Sequence, residues 1–106
     1  MPTVKELFDN MPSTFQKEAA TGMNVVYQFD ITGEDGARYH ADIVDGELSV
    51  VEGQHESPSI TITMTSRDYI DLSTGKLNGQ MAFMTGKIKI KGDLSLAMKM
   101  PKIFKQ

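Results

Sequence analysis

Apolar and polar positions along this chain follow two different periods, and the changes of period mark its elements. Val4, Leu7, Phe8 and Met11 recur at helical spacing, with Pro2 and Thr3 placed to open the helix. Asn10-Met11-Pro12-Ser13 interrupts that pattern. Ser13 or Thr14 is placed to cap a second short helical stretch carrying Phe15 and Ala19. Gly22 ends it, as a residue tolerant of positive φ should. The period then drops to two. Met23, Val25, Tyr27, Phe29 and Ile31 alternate with Asn24, Gln28, Asp30 and Thr32, which predicts a strand with one buried face. Asp35-Gly36 predicts a hairpin turn into a second strand, with Tyr39, Ala41 and Ile43 set against Arg38, His40 and Asp42. A second turn at Asp45-Gly46 leads to Leu48, Val50 and a third strand.

The stretch "EGQHESPS" clusters Gly, Ser and Pro and reads as a loop. Ile60, Ile62 and Met64 against Thr61, Thr63 and Thr65 predict a fourth strand. From Ser66 the pattern turns helical through Tyr69, Ile70 and Leu72, ending near Gly75, and "NGQMAFM" predicts another short helix stopped by Gly86. Ile88 and Ile90 against Lys87, Lys89 and Lys91 make a fifth strand with one wet face. Asp93 caps a last helix through Met100, and Pro101 is expected to end or kink it, since proline lacks the amide proton and clashes with the preceding turn. The order is helix, meander, helices, strand, helix. It predicts an α+β domain with helices gathered on one face of the sheet.

Composition narrows the picture. A chain of 106 residues is expected to form a single domain spanning 1–106. At 40 % hydrophobic and 24 % charged residues it has the balance of an ordinary globular protein, which argues against disorder. The formal charge of −3 argues against general nucleic-acid affinity. With no cysteine there is neither a disulfide scaffold nor a thiol nucleophile. The N-terminal "MPTVKELFDNMPSTF" has charges where a signal peptide needs an apolar run, and "KIFKQ" is no peroxisomal or retention address. The cytoplasm is the expected location.

Three groups of residues invite a chemical reading. Arg38, His40 and Asp42 share one strand face, with His55 in a nearby loop, but a solvated sheet face looks the same. Two histidines at this separation match no metal-ligand spacing. Neither a phosphate loop nor a nucleophile motif occurs, so no catalytic residue, metal or cofactor is expected. The lysines of "KIKIKGD" suit phosphate groups of a membrane or a nucleic acid, but read first as a solvent face that discourages edge pairing; no aromatics interleave with them to stack nucleic-acid bases. The methionines stand out. Four of the chain's eight lie between Asn78 and Met100. On a wheel of about 100° per residue, Leu94, Leu96, Ala97, Met98, Met100, Ile103 and Phe104 cover roughly 220°. One core-facing stripe needs only about 100°. A helix touching two apolar surfaces, or a methionine-filled core, accounts for the excess.

At "MTGKIKIKGDLSLAMKM" the chain resembles the sterol-carrier-protein lipid-binding domain, whose "GK(L/I)K(I/V)xGD" strand enters an apolar helix. The match runs back through "SITITMTSRDYIDLSTGKLNGQMAFMTGKIKIKGD", with Gly75-Lys76-Leu77 and Gly86-Lys87-Ile88 where the family has such units. Upstream, the helix and Asp-Gly hairpins agree in order. The resemblance implies a five-stranded, mostly antiparallel sheet with helices covering one face and an apolar tunnel between, holding fatty acid, fatty acyl-CoA or a sterol-like molecule. Its implied lipid contacts are Phe8 and Phe15 near the N-terminus, Val25, Tyr27 and Phe29 on the first strand, and Ile62 and Met64 on the fourth. Ile70, Met81, Phe83 and Met84 follow, then Leu96, Met98, Met100, Ile103 and Phe104 at the C-terminus. The charged head would meet a lysine at the mouth, and the last residues would cover the cavity. A stand-alone bacterial lipid carrier is the function implied, with a long-chain lipid, a transient membrane contact and a homodimer as partners. Two readings from other classes compete: an accessory subunit or small enzyme acting on a lipid through His40 or Asp42, and a module that dimerises through exposed methionines.

Overall fold

The computed structural model describes residues 2–105. A five-stranded sheet carries the fold: β1 (Asn24–Thr32), β2 (Ala37–Val44), β3 (Glu47–Glu52), β4 (Ile60–Thr65) and β5 (Lys89–Gly92), in the spatial order β3-β2-β1-β4-β5. Alternation sets its two faces. Tyr27, Phe29 and Ile31 of β1 lie beside Ile60, Ile62 and Met64 of β4, and Tyr27 and Phe29 also lie beside Ala41 and Tyr39 of β2. All of these are buried. The β2–β3 turn uses left-handed backbone at both Asp45 (φ 52°) and Gly46 (φ 76°). That is the geometry a two-residue Asp-Gly hairpin requires.

The meander expected from strand order stops at β3. β4 pairs with β1, and in parallel, from Tyr27↔Ile60 to Thr32↔Thr65. The sheet is therefore mixed, though mostly antiparallel. The reason lies in burial: β4 places Ile60, Ile62 and Met64 in the core, whereas no residue of β3 is fully buried. Residues 53–59 run back to make this possible, and a polar anchor holds the return. Gln28, fully buried on the sheet face away from the helices, accepts from the His55 amide (2.9 Å) and donates to the carbonyls of Gly53 (3.1 Å) and Tyr39 (3.2 Å). A buried amide without such partners would be costly.

The helices are α1 (Val4–Thr14), α2 (Ser66–Ser73), α3 (Gly79–Met84) and α4 (Leu94–Ile103), with one 3₁₀ turn at Lys17–Ala20. Thr3 and Glu6 form a reciprocal capping box at the start of α1. Thr65, Asn78 and Asp93 cap the other three helices. Phe8 locks α1 to the sheet, stacked between Tyr39 (4.2 Å between centroids) and Tyr69 (4.9 Å) and edge-on to Phe29 (5.3 Å).

Two prolines do not break their helices as the sequence predicts. Pro12 lies inside α1, and only a 3₁₀ turn follows in place of a second capped helix; Pro101 lies inside α4. An interior proline costs about 3 kcal/mol. Ile103 and Phe104, both buried, each stabilise by roughly 1.5–3 kcal/mol, enough to hold the last turn of α4 in place. Backbone bonds add to this: Gln16 N–H to Ile103 O (2.7 Å) and Lys105 N–H to Thr14 O (2.9 Å), flanking a bridge between Phe15 and Phe104. Ile103 and Phe104 are core.

Candidate functional site

The helical face of the sheet gathers most of the residues singled out above. Phe8, Tyr27, Phe29, Ile62, Met64, Leu96, Ile103 and Phe104 are buried in one cluster, with Phe15, Val25, Ile70 and Met100 partly buried against it. Tyr27 joins the sheet to α4: its hydroxyl donates to the Leu96 carbonyl at 2.8 Å, and its ring meets Phe104 edge-on. Burial, reinforced by the negative charge of Asp93, pushes the Tyr27 hydroxyl up to about 12. Burial also raises the Tyr69 hydroxyl, against a lowering hydrogen bond with Ser73.

The remaining site residues stand elsewhere. Met81, Phe83 and Met84 of α3 and Met98 of α4 face outward, Met84 and Met98 being 74 % and 76 % exposed. α3 buries only Ala82, whose carbonyl receives the amides of Lys87 (2.8 Å) and Ile88 (3.3 Å) and so ties the helix to the approach to β5. Asp93 starts α4 at the other end of the same strand. An intermediate layer packs against the core: Leu72, Leu77, Ile90, Ala97 and Met100 are partly buried, and Ile88 is buried. Leu77, Ile88 and Ile90 belong to this apolar region, though they are absent from the contacts inferred from the sequence. Their signal was present in the "GKL" and "KIKIK" units. The wide apolar arc of α4 is thus divided, with Leu96 and Ile103 inside and Leu94 and Met98 outside.

Two surface grooves flank the fold. One of about 430 Å³ is lined by Thr32, Thr63, Met64, Thr65, Asp68, Gly86, Lys87 and Lys89. Another of about 280 Å³ lies where Lys5, Phe8, Asp9 and Pro12 of α1 meet Tyr39, Val50 and Glu52.

On the sheet's other face, the expectation of a solvated histidine is corrected. His40 is only 9 % exposed, its Nδ1 lies 2.5 Å from Asp42 Oδ1, and its ring meets that of His55 edge-on at 5.1 Å. The returning loop brings His55 there, held by Gln28 and by the Ser57 amide donating to His55 Nδ1 (2.9 Å). Loop placement is a tertiary effect that strand alternation does not carry. Among the described residues no group of three or more His, Cys, Asp or Glu could hold a metal ion. No described helix is long and apolar enough to cross a membrane.

This architecture has known counterparts. Hydroxysteroid dehydrogenase-like protein 2 of Xenopus tropicalis is 36 % identical over 104 residues, covering 97 % of this chain and 25 % of the relative. The chain therefore spans about a quarter of the length of that relative. Among solved structures, the sec-alkylsulfatase Pisa1 from Pseudomonas sp. superposes with a TM-score of 0.82 at 18 % identity, over 99 % of this chain and 17 % of the sulfatase. Palmitated SCP2L2 from Aedes aegypti superposes with a TM-score of 0.77 at 23 % identity, over 95 % of this chain and 93 % of that one. At such identities the two structures show the fold. The family model described as the SCP-2 sterol transfer family matches residues 4–105, and the chain belongs to that family.

Proposed function

We propose that this domain binds a long-chain lipid (fatty acid, fatty acyl-CoA or a sterol-like molecule) on the helical face of its sheet, beneath α3 and α4, and carries it without chemical change. The observation that carries this reading is the apolar surface left in water around β5. Met81, Phe83, Met84, Leu94 and Met98 are all exposed on α3 and α4, the two helices that flank β5 in the chain, while Ile90, Ala97 and Met100 are partly buried against the core. An acyl chain lying between these two sets would cover the exposed side chains and open a tunnel by shifting α3, the helix with least buried in the core. Methionine suits such a site because its unbranched thioether adapts to different shapes. The palmitated state of the mosquito relative supports the ligand class.

Burying about ten methylenes at ~0.8 kcal/mol each stabilises a complex by a gross ~8 kcal/mol. Association and ordering cost at least ~4 kcal/mol of that. Modest affinity for several chains fits better than tight selection of one. The His40–Asp42 pair does not favour an enzyme acting on this lipid. It lies on β2, on the opposite face of the sheet from the buried Tyr39, Ala41 and Ile43. A fluorescent fatty acid should bind saturably and be displaced by unlabelled fatty acid, and native mass spectrometry should find lipid on the monomer. No saturable binding of acyl, acyl-CoA or sterol probes would sink the proposal. Exposed methionines that serve only to pair two empty chains would show as a lipid-free dimer.

A further inference from the structure

Charge is divided along this chain far more sharply than its net value shows. Up to Ser73 there are thirteen acidic residues and four cationic ones; from Thr74 onward there are seven lysines and a single acid, Asp93. The two populations of lysine also differ in structure. Lys5 and Lys17, in the acidic portion, are paired with Asp9 (2.8 Å) and Glu47 (2.6 Å). All seven later lysines are exposed, and among the described residues none makes an ion pair within 4.0 Å. The cationic portion comprises α3, β5 and α4, and it holds five of the exposed large apolar side chains. β5 is an edge strand, with α3 joined at its start and α4 at its end. Lys89 and Lys91, in register with Thr63 and Thr61, face away from the helices, while Met81, Met84 and Met98 stand on the helices.

We infer that the β5 edge, with α3 and α4 beside it, docks on the anionic headgroup surface of a lipid bilayer. Approached edge-on, the lysines meet headgroups while methionine, phenylalanine and leucine side chains reach toward the acyl boundary. Charge complementarity selects this occupant. Unpaired lysines near a negative leaflet are attracted to it cumulatively, within a Debye length. Side-chain chemistry argues against a protein partner. Protein interfaces are depleted in lysine and enriched in arginine, tyrosine and tryptophan; residues 74–106 contain seven lysines and none of those three. Lysine and methionine are long and unbranched, which suits a fluid surface better than a fixed one. Protection of the sheet edge against pairing accounts for Lys87, Lys89 and Lys91, but it leaves the lysines of α4 without a reason.

Docking stands on charge and exposure; only its consequence, loading of the site directly from the bilayer, rests on the lipid-binding reading. The test is co-sedimentation with vesicles of phosphatidylcholine alone or with about 30 % phosphatidylserine, in about 0.1 M and about 1 M salt. Binding to the anionic vesicles at low salt should exceed binding to neutral ones by at least about tenfold and be lost at high salt. The triple variant Lys87→Gln, Lys89→Gln, Lys91→Gln should weaken it at least about fivefold, while the control Lys5→Gln, Lys17→Gln should not. Urea midpoints check that each variant is folded. The triple variant should still bind fluorescent fatty acid in vesicle-free solution. Loss of probe binding with vesicle docking intact would remove the carrier reading and leave the docking surface. Equal binding to neutral and anionic vesicles, undiminished binding of the triple variant, or association only with a second copy or an acidic protein would overturn the docking surface.

Discussion

The Tyr27 hydroxyl, carried by the central strand, donates to the Leu96 carbonyl of α4 at 2.8 Å. It is a polar tie inside an apolar layer, and it fixes the first turns of α4 above the sheet. Tyr27→Phe removes the donor and leaves the ring. A net loss of about 0.5–1.5 kcal/mol is expected. The urea midpoint should fall while the slope stays unchanged, because the surface exposed on unfolding is the same. An unchanged midpoint would mean that α4 is held by packing alone.

The same hydroxyl makes stability depend on alkaline pH. Its folded value is pushed up to about 12 by burial, above an ordinary value of 10.0. Between these the unfolded chain has released the proton and the folded chain has kept it, so stability falls as pH rises. Below about pH 10 both states hold the proton and this group has no effect. Equilibrium unfolding from pH 8 to 12 should show stability level at first and then declining from about pH 10. Tyr27→Phe should make that decline shallower without abolishing it, since burial raises the Tyr39 and Tyr69 hydroxyls too.

Ile103 and Phe104 close the core near the C-terminus, 1 % and 8 % exposed. Phe104→Ala is expected to cost about 3–5 kcal/mol, as other large-to-small aromatic changes in cores do. Removing Lys102 to Gln106 should therefore unfold much of the protein. A truncated protein that stays folded and merely loses lipid affinity would instead identify these residues as a cover.

Gln28 is the pivot of the helix-free face. Gln28→Leu keeps the volume but strands the His55 amide and the Gly53 and Tyr39 carbonyls, for an expected loss of about 1–3 kcal/mol. His40→Ala should also destabilise, because the imidazole is buried against Asp42 and His55. Lipid affinity of the folded His40→Ala protein should stay within about 0.5 kcal/mol of the parent, the scale of a change remote from the site. Isothermal titration with a fatty acid separates the two effects.

Much of the fold was legible in the residues alone. Alternation over Met23 to Ile31, interrupted at Val26, and over Ile60 to Met64 identified the two central strands and their inward faces, because a side-chain period of two admits one buried set. Asp45-Gly46 identified its turn, because few residue pairs accept two successive left-handed conformations. Asp93 identified the start of α4. For the helical side chains inferred to touch lipid, position on the chain did not separate inside from outside. Met84 and Met98 are as hydrophobic as the buried Met11 and Met64, yet they face water.

What the sequence by itself determined is local: the period of each segment, its caps and turns, its inward face, and an excess of apolar surface in the last third of the chain. Only the tertiary structure decided which strands became neighbours, whether the prolines broke their helices, and which histidine was buried. Each of those outcomes turns on a long-range contact. β4 pairs with β1 because the core accepts Ile60, Ile62 and Met64 beside Tyr27, Phe29 and Ile31. Pro101 stays helical because Ile103 and Phe104 are held from the far side by Phe15 and Gln16. His40 is covered because Gln28 draws a loop across it. Local periodicity records the preference of a segment, whereas pairing and burial depend on surfaces that meet only after the chain has folded.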